Sequence, residues 1–214
     1  MEKVLLNMKA ISKTFGSVQA LKEVSLDLYA GEVLALMGEN GAGKTTTIGC
    51  ILNTIKKDSG TIKLFGQEML DADTSLREKI GVVYDGDNFP AYWTAKQLSD
   101  VMEGLYTQWD NSLFQKYLED FQLPAKQKIK HYSRGMTMKL AIAAALAHHP
   151  ELLILDEATS QLDPIAASEF LHCVSRINHE LGTTVIITEH RLDEVLRFQI
   201  FCRNSEHSGY KRVS

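Results

Sequence analysis

The stretch GENGAGKT, Gly38 to Thr45, concentrates residue types suited to binding phosphate. Glycines at 38, 41 and 43 open backbone conformations closed to other residues, so the amides of Gly38, Glu39, Asn40, Gly41, Ala42 and Gly43 can turn inward around an anion. The pattern G-x-x-x-x-G-K-[ST] lies between an apolar strand and a helix, the setting in which it cradles a polyphosphate on a helix N-terminus. Lys44 is placed to reach the outer phosphates, the Thr45 hydroxyl to hold Mg²⁺, and Thr46 to donate to an inner phosphate. Far downstream, ELLILDE delivers Asp156 at the end of an apolar run, with Glu157 next. Asp156 can stand beside that Mg²⁺ through water, while Glu157, pointing the other way, can polarise a water for in-line attack on a terminal phosphate. The plain alternatives are a glycine-rich turn with a chance Lys-Thr, and an Asp-Glu pair that merely caps the next element. Found together, the two motifs favour phosphate chemistry.

These groups need elements to hold them. Val4 to Ile11 and Val24 to Leu28 alternate apolar and polar residues, predicting two antiparallel strands. The apolar run Val33 to Met37 predicts a buried strand, and Lys44 to about Thr54 a helix. Further strands are expected at Thr61 to Gly66 and Lys79 to Asp85. From Thr94 to Leu123 apolar residues recur at three and four, as on helices. A helix over Ser133 to Ala147 ends before Pro150, and another opens at Pro164 and ends at Gly182, ahead of the buried strand TTVIITEH. Continuous apolar strands alternating with helices imply a parallel sheet covered on both faces. The tail FCRNSEHSGYKRVS shows neither period and is expected to be irregular or frayed.

Bulk composition narrows the class. The 214 residues suit one large domain, or a core with a modest subdomain. With 44% hydrophobic and 23% charged residues and no run of about 18 apolar ones, the chain reads as globular rather than membrane-spanning. The start carries no secretory pattern, and the three cysteines, Cys50, Cys173 and Cys202, form no CxxC pair, which fits a reducing cytoplasm. A net charge of -4 gives no reason to expect nucleic acid.

With these motifs in this order, residues 2 to 196 resemble the nucleotide-binding subunit of an ATP-binding cassette (ABC) transporter, in a bacterial exporter-like form. The resemblance implies an α/β fold: a P-loop NTPase core with a mostly parallel sheet, an N-terminal antiparallel β part and an inserted α-helical subdomain. The core would comprise 1–86 and 149–196, and the helical subdomain with its signature turn 87–148, leaving 197–214 as an atypical or truncated tail. ATP and Mg²⁺ are the implied ligands. Ser133 and Gly135, in SRG, stand where the family's signature turn stands and would cap the γ-phosphate bound by a second cassette. Asp163, in SQLD, belongs to the loop joining two cassettes, His190 matches the switch histidine, and Phe15 takes the place of the aromatic that stacks on adenine. The implied partners are a second nucleotide-binding subunit, identical or not, and an integral membrane permease, with the chain peripheral on the inner face of the cell membrane. Taken singly, Ser133 would be an ordinary helix cap, His190 structural and Phe15 filler.

Several residues depart from the family pattern. Asp85 stands where glutamine is usual; it retains an oxygen for Mg²⁺ but cannot donate as an amide does. Arg134 replaces the first signature glycine and either adds a cation near the phosphate or is solvated. Ala158 and Gln161 replace a proline and a glycine around the D-loop. NFPAYW, Asn88 to Trp93, offers three aromatics that are either a rim for the permease or core. Two alternatives to a transport motor stay open: a soluble ABC ATPase acting in translation or DNA maintenance, and a weakly hydrolysing regulatory cassette.

Overall fold

The computed structural model of the chain describes residues 3–68, 74–86, 88–189 and 209–212. Strands β1 (Val4–Phe15) and β2 (Val18–Tyr29) form a long antiparallel hairpin, closed tightly by Gly16 and Ser17 between the paired Phe15 and Val18. Both run further than their alternation suggested, because paired backbone carries strand geometry through the exposed residues toward the tip. β4 (Ser59–Leu64) adds antiparallel to the other edge of β1, giving the order β2-β1-β4.

The second sheet is parallel. Its strands are β3 (Val33–Met37), β5 (Ile80–Tyr84), β6 (Leu152–Asp156), β7 (Thr184–Glu189) and β8 (Gly209–Arg212), in the order β5-β6-β7-β3-β8. β8 corrects the expectation of an irregular tail at Gly209–Arg212 alone, where it pairs parallel to β3, with Leu34 opposite Gly209 and Met37 opposite Arg212; the rest of the tail lies outside the described residues. Four residues are too few to show a period, and the pairing is imposed by the neighbouring strand's backbone.

β6 and β7 are buried along their whole length, as strands covered on both faces must be. Alternate residues serve different cores. Leu34, Leu36, Leu152, Ile154 and Ile186 join the cluster containing β1, β2 and helix α1 (Lys44–Ile51). Val33, Ala35, Leu153, Leu155, Val185 and Ile187 join the cluster on the opposite face. That second cluster includes side chains of α3 (Ala95–Leu105), α4 (Asn111–Asp120), α5 (Arg134–Leu146) and α6 (Pro164–Leu181), so the helical insert shares its apolar packing with the sheet. A short helix α2 (Thr74–Arg77) precedes β5.

Local chemistry sets the helix ends. α3 starts with a capping box between Thr94 and Gln97, α4 is capped by Asp110, and α6 ends on Gly182 at φ 66°. α5 lies so close to β5 that a Cβ at Gly81 would meet the Ala145 carbonyl oxygen at 2.7 Å. The aromatics of the NFPAYW segment divide. Phe89 and Trp93 pack against the core, whereas Tyr92 is 70% exposed with the Lys130 ammonium 5.0 Å from its ring centroid.

Candidate functional site

The turn after β3 leads into α1 through Gly41 and Gly43, both at φ 89°. Gly43 caps α1, and a Cβ there would meet the Ala20 carbonyl oxygen at 2.6 Å and a Leu21 methyl at 2.8 Å. Only glycine satisfies both the left-handed backbone and the closeness of β2. Behind the turn Lys44 is 3% exposed; its ammonium donates to the carbonyl oxygens of Gly38 at 2.8 Å and Glu39 at 3.2 Å and lies 3.4 Å from Glu157 Oε1. Thr45 is exposed on the first turn of α1 and Thr46 half-buried beside it.

The strand tips bring the acids to this turn. Asp156 pairs in register with Thr188 of β7, whose hydroxyl donates to Asp156 Oδ1 at 2.7 Å. The same hydroxyl oxygen accepts from the Glu157 amide at 2.9 Å. Glu157 has φ 52°, a left-handed turn at the end of β6, and both acids lie near Lys44. Burial raises the Asp156 pKa, and the charge on Glu157 adds to this; hydrogen bonds from Thr188 and Thr45 and the charge on Lys44 oppose it. A buried carboxylate bonded to a threonine hydroxyl is a hard oxygen set that suits Mg²⁺. Thr45 and Asp156 are therefore the pair that fits a metal.

A second constellation lies at the facing ends of α5 and α6. Ser133 caps α5, accepting from the Met136 amide at 3.2 Å, and Asp163 caps α6, accepting from the amides of Ile165 and Ala166 at 3.0 Å each. Between the two caps is a cavity of about 200 Å³ whose lining includes Ser133, Arg134, Gly135, Gln161 and Asp163. Asp85, just beyond β5, faces this group: Gln161 Nε2 donates to its Oδ2 at 2.7 Å, and an Arg134 guanidinium nitrogen lies 3.8 Å from its Oδ1. The Arg134 guanidinium also donates to Gln161 Oε1.

The ABC transporter family model matches residues 21–160, which include the phosphate turn, the signature turn and both acids. The chain belongs to the ABC transporter family. It is 35% identical to the bacitracin transport ATP-binding protein of Enterococcus faecalis over 187 residues, covering 86% of this chain and 61% of that one. The chain spans about three-fifths of the length of the first curated relatives it matches, between 61% and 64%. Among solved structures, cbiO1 from Clostridium perfringens, part of the ABC transporter complex cbiONQ, superposes with a TM-score of 0.80 at 28% identity, covering 92% of this chain and 82% of that one. A dimeric ATP-binding cassette in a post-hydrolysis state, bound to ADP and Pi, gives 0.78 at 25% identity, covering 98% of this chain and 97% of that one. The α/β fold, with its parallel and antiparallel sheets, is that of these ABC cassettes.

Within this ABC chain Lys44, Thr45, Asp156 and Glu157 converge, while Ser133, Gly135 and Asp163 collect at the separate cavity. Phe15 sits at the hairpin tip, 49% exposed, with the Lys13 ammonium 5.2 Å from its ring centroid. Lys13 in turn bonds Asp58 at 2.9 Å, which holds that carboxyl below its usual range. His190 lies outside the described residues. Asp85 is turned toward Gln161 and Arg134; Arg134, its side chain 37% exposed, stays partly solvated while it bonds Gln161 and lies 3.8 Å from Asp85. Thr188 was missed by sequence reasoning; its signal was a hydroxyl residue inside the apolar run TVIIT, in register with Asp156.

Proposed function

We propose that this chain is the ATP-binding and ATP-hydrolysing subunit of an ABC transporter, pairing with a second such subunit around two ATP molecules to drive a separate membrane permease. The observation that carries the reading is the buried Lys44, held beside Glu157 at 3.4 Å, at a turn whose next residue, Thr45, bonds Asp156. One lysine, one metal-side acid and one water-side acid are the parts that phosphoryl transfer to water requires.

Gly38, Glu39, Asn40, Gly41, Ala42 and Gly43 would wrap the triphosphate with backbone amides, and Phe15 would stack on the adenine. Lys44 would leave the Gly38 and Glu39 carbonyls for the outer phosphates, and Thr46 would donate to an inner one. Thr45 and Asp156, with Asp85 as a further oxygen donor, would hold Mg²⁺, which when bound neutralises phosphate oxygens. Glu157 would orient the attacking water and accept its proton, with His190 steadying the γ-phosphate. Ser133 and Gly135 would close the same phosphate from the partner subunit, the N-terminus of α5 adding its positive potential, and Asp163 would link the two sites. Each ATP is thus shared, and its hydrolysis would release the pair.

Among the described residues no helix is long and apolar enough to cross a membrane. The separate permease and the peripheral place on the inner membrane face rest on membership of the ABC transporter family. No nucleic-acid partner is proposed. The bacitracin relative and cbiO1 are transport proteins by name, and they lend no support to a cassette acting in translation or DNA maintenance, or to a weakly hydrolysing regulator.

Glu157→Gln should bind ATP without turning it over and accumulate as a dimer, visible by light scattering with and without Mg·ATP. A variant that stays monomeric at saturating ATP would sink the shared-site mechanism.

A further inference from the structure

The residues that depart from the family pattern at three separate places in the chain touch one another. Gln161 donates to Asp85 and accepts from Arg134, and Arg134 faces the other Asp85 oxygen. We infer that Arg134 is a second phosphate-binding cation, held on Asp85 in the separated chain and transferred to the partner subunit's bound triphosphate when two chains close. The inference deepens the proposed function and rests on its head-to-tail arrangement of subunits.

Arg134 stands between Ser133 and Gly135, the residues proposed to meet that phosphate, and lines the same cavity. It is the first residue of a helix of 13, where the backbone already favours an anion. Its hold on Asp85 is weak: at 3.8 Å, with side chains 37% and 26% exposed, water screens the pair. Lys139, the other cation lining the cavity, bonds Glu169 at 2.9 Å. A triphosphate offers Arg134 several negative charges instead of one, and oxygens spaced for a guanidinium fork. Gln161 shapes the resting state by bonding both partners at once, so that the guanidinium is aimed before closure.

The exchange makes two predictions of opposite sign. In the Glu157→Gln background, ATP-dependent dimerisation is measured by analytical ultracentrifugation at fixed Mg²⁺. Arg134→Ala should weaken it about tenfold, as loss of a charged hydrogen-bonded contact does, and Arg134→Lys should restore part of that. Asp85→Asn should shift dimerisation toward closure by severalfold more when Arg134 is present than when it is Ala. The ratio between the two backgrounds cancels any role of Asp85 toward Mg²⁺. The exchange is overturned if Arg134→Ala leaves dimerisation unchanged or strengthens it, or if Asp85→Asn acts equally in both backgrounds. If the Arg134-containing chain never dimerises with ATP, the proposed function fails and the exchange fails with it. Unfolding midpoints of the nucleotide-free variants identify any loss that comes from folding alone.

Discussion

Around Lys44, itself 3% exposed, the contacting groups are main-chain carbonyls, glycine turns and strand tips of one chain; around Ser133 they are side chains and amides at two helix starts that line a cavity. The first region is fixed by packing, since Gly43 rests on Ala20 and Leu21, and Asp156 is 6% exposed between hydroxyl donors. The second occupies its acceptors and donors with few side-chain contacts: Ser133 with its own helix, Arg134 with Gln161 and, at 3.8 Å, with Asp85. A region completed by its own fold suits a cradle; one whose bonds are few and shallow suits the closing role proposed for it toward a second subunit.

The contrast breaks most severely at Lys44. Lys44→Met keeps the buried stem but removes the charge, and steady-state phosphate release should fall by about 10²-fold or more, as when one preorganised transition-state donor is lost. A drop of less than threefold would mean that the cradle does not gather the outer phosphates.

Gly43→Ala tests whether the turn is set by packing. The added methyl meets main chain at 2.6 Å at φ 89°, so the nucleotide-free chain should lose roughly 1–3 kcal/mol in urea unfolding. Nucleotide affinity should fall with it, and an unchanged midpoint would show that the turn yields.

On the other side, Ser133→Ala separates the cap from the closing role. Loss of the hydrogen bond to Met136 should remove about 1 kcal/mol of stability. If Ser133 also meets a partner's phosphate, hydrolysis per chain should become more steeply dependent on protein concentration; a stability loss alone would leave it an ordinary helix cap.

The smallest effect concerns pH. Burial raises the Asp156 pKa in the folded chain, so the stabilising contribution of this group is complete below the ordinary carboxylate pKa of about 3.9 and is lost as pH rises through the folded value. At pH 7 its ionised form is therefore a burden, and Asp156→Asn should raise the nucleotide-free unfolding midpoint, by about 2–4 °C for each kcal/mol relieved. The gain should vanish in acid. A lower midpoint at pH 7 would mean that the bonds from Thr188 and Thr45 outweigh desolvation.

The same contrast explains what could be read from residues alone. Local codes were legible: the glycine-lysine turn, the apolar strands β3, β6 and β7, and α6 between Pro164 and Gly182. Each rests on neighbours a few positions away. Asp85 and Gln161 lie 76 residues apart, and Arg134 and Gln161 27 apart, so nothing local announces that they meet. β8 was invisible for the same reason, since its partner is β3 and its own four residues carry no pattern. The two-faced burial of the parallel strands was expected, but which face each residue serves became clear only with the helices in place.

Thr188 yokes the two neighbouring acids. A single hydroxyl donates a hydrogen bond to Asp156 Oδ1 and accepts one from the Glu157 amide. Any tilt of the β7 tip therefore reaches the Asp156 carboxylate and the Glu157 main chain together, so that the two acids proposed to face metal and water would shift as one.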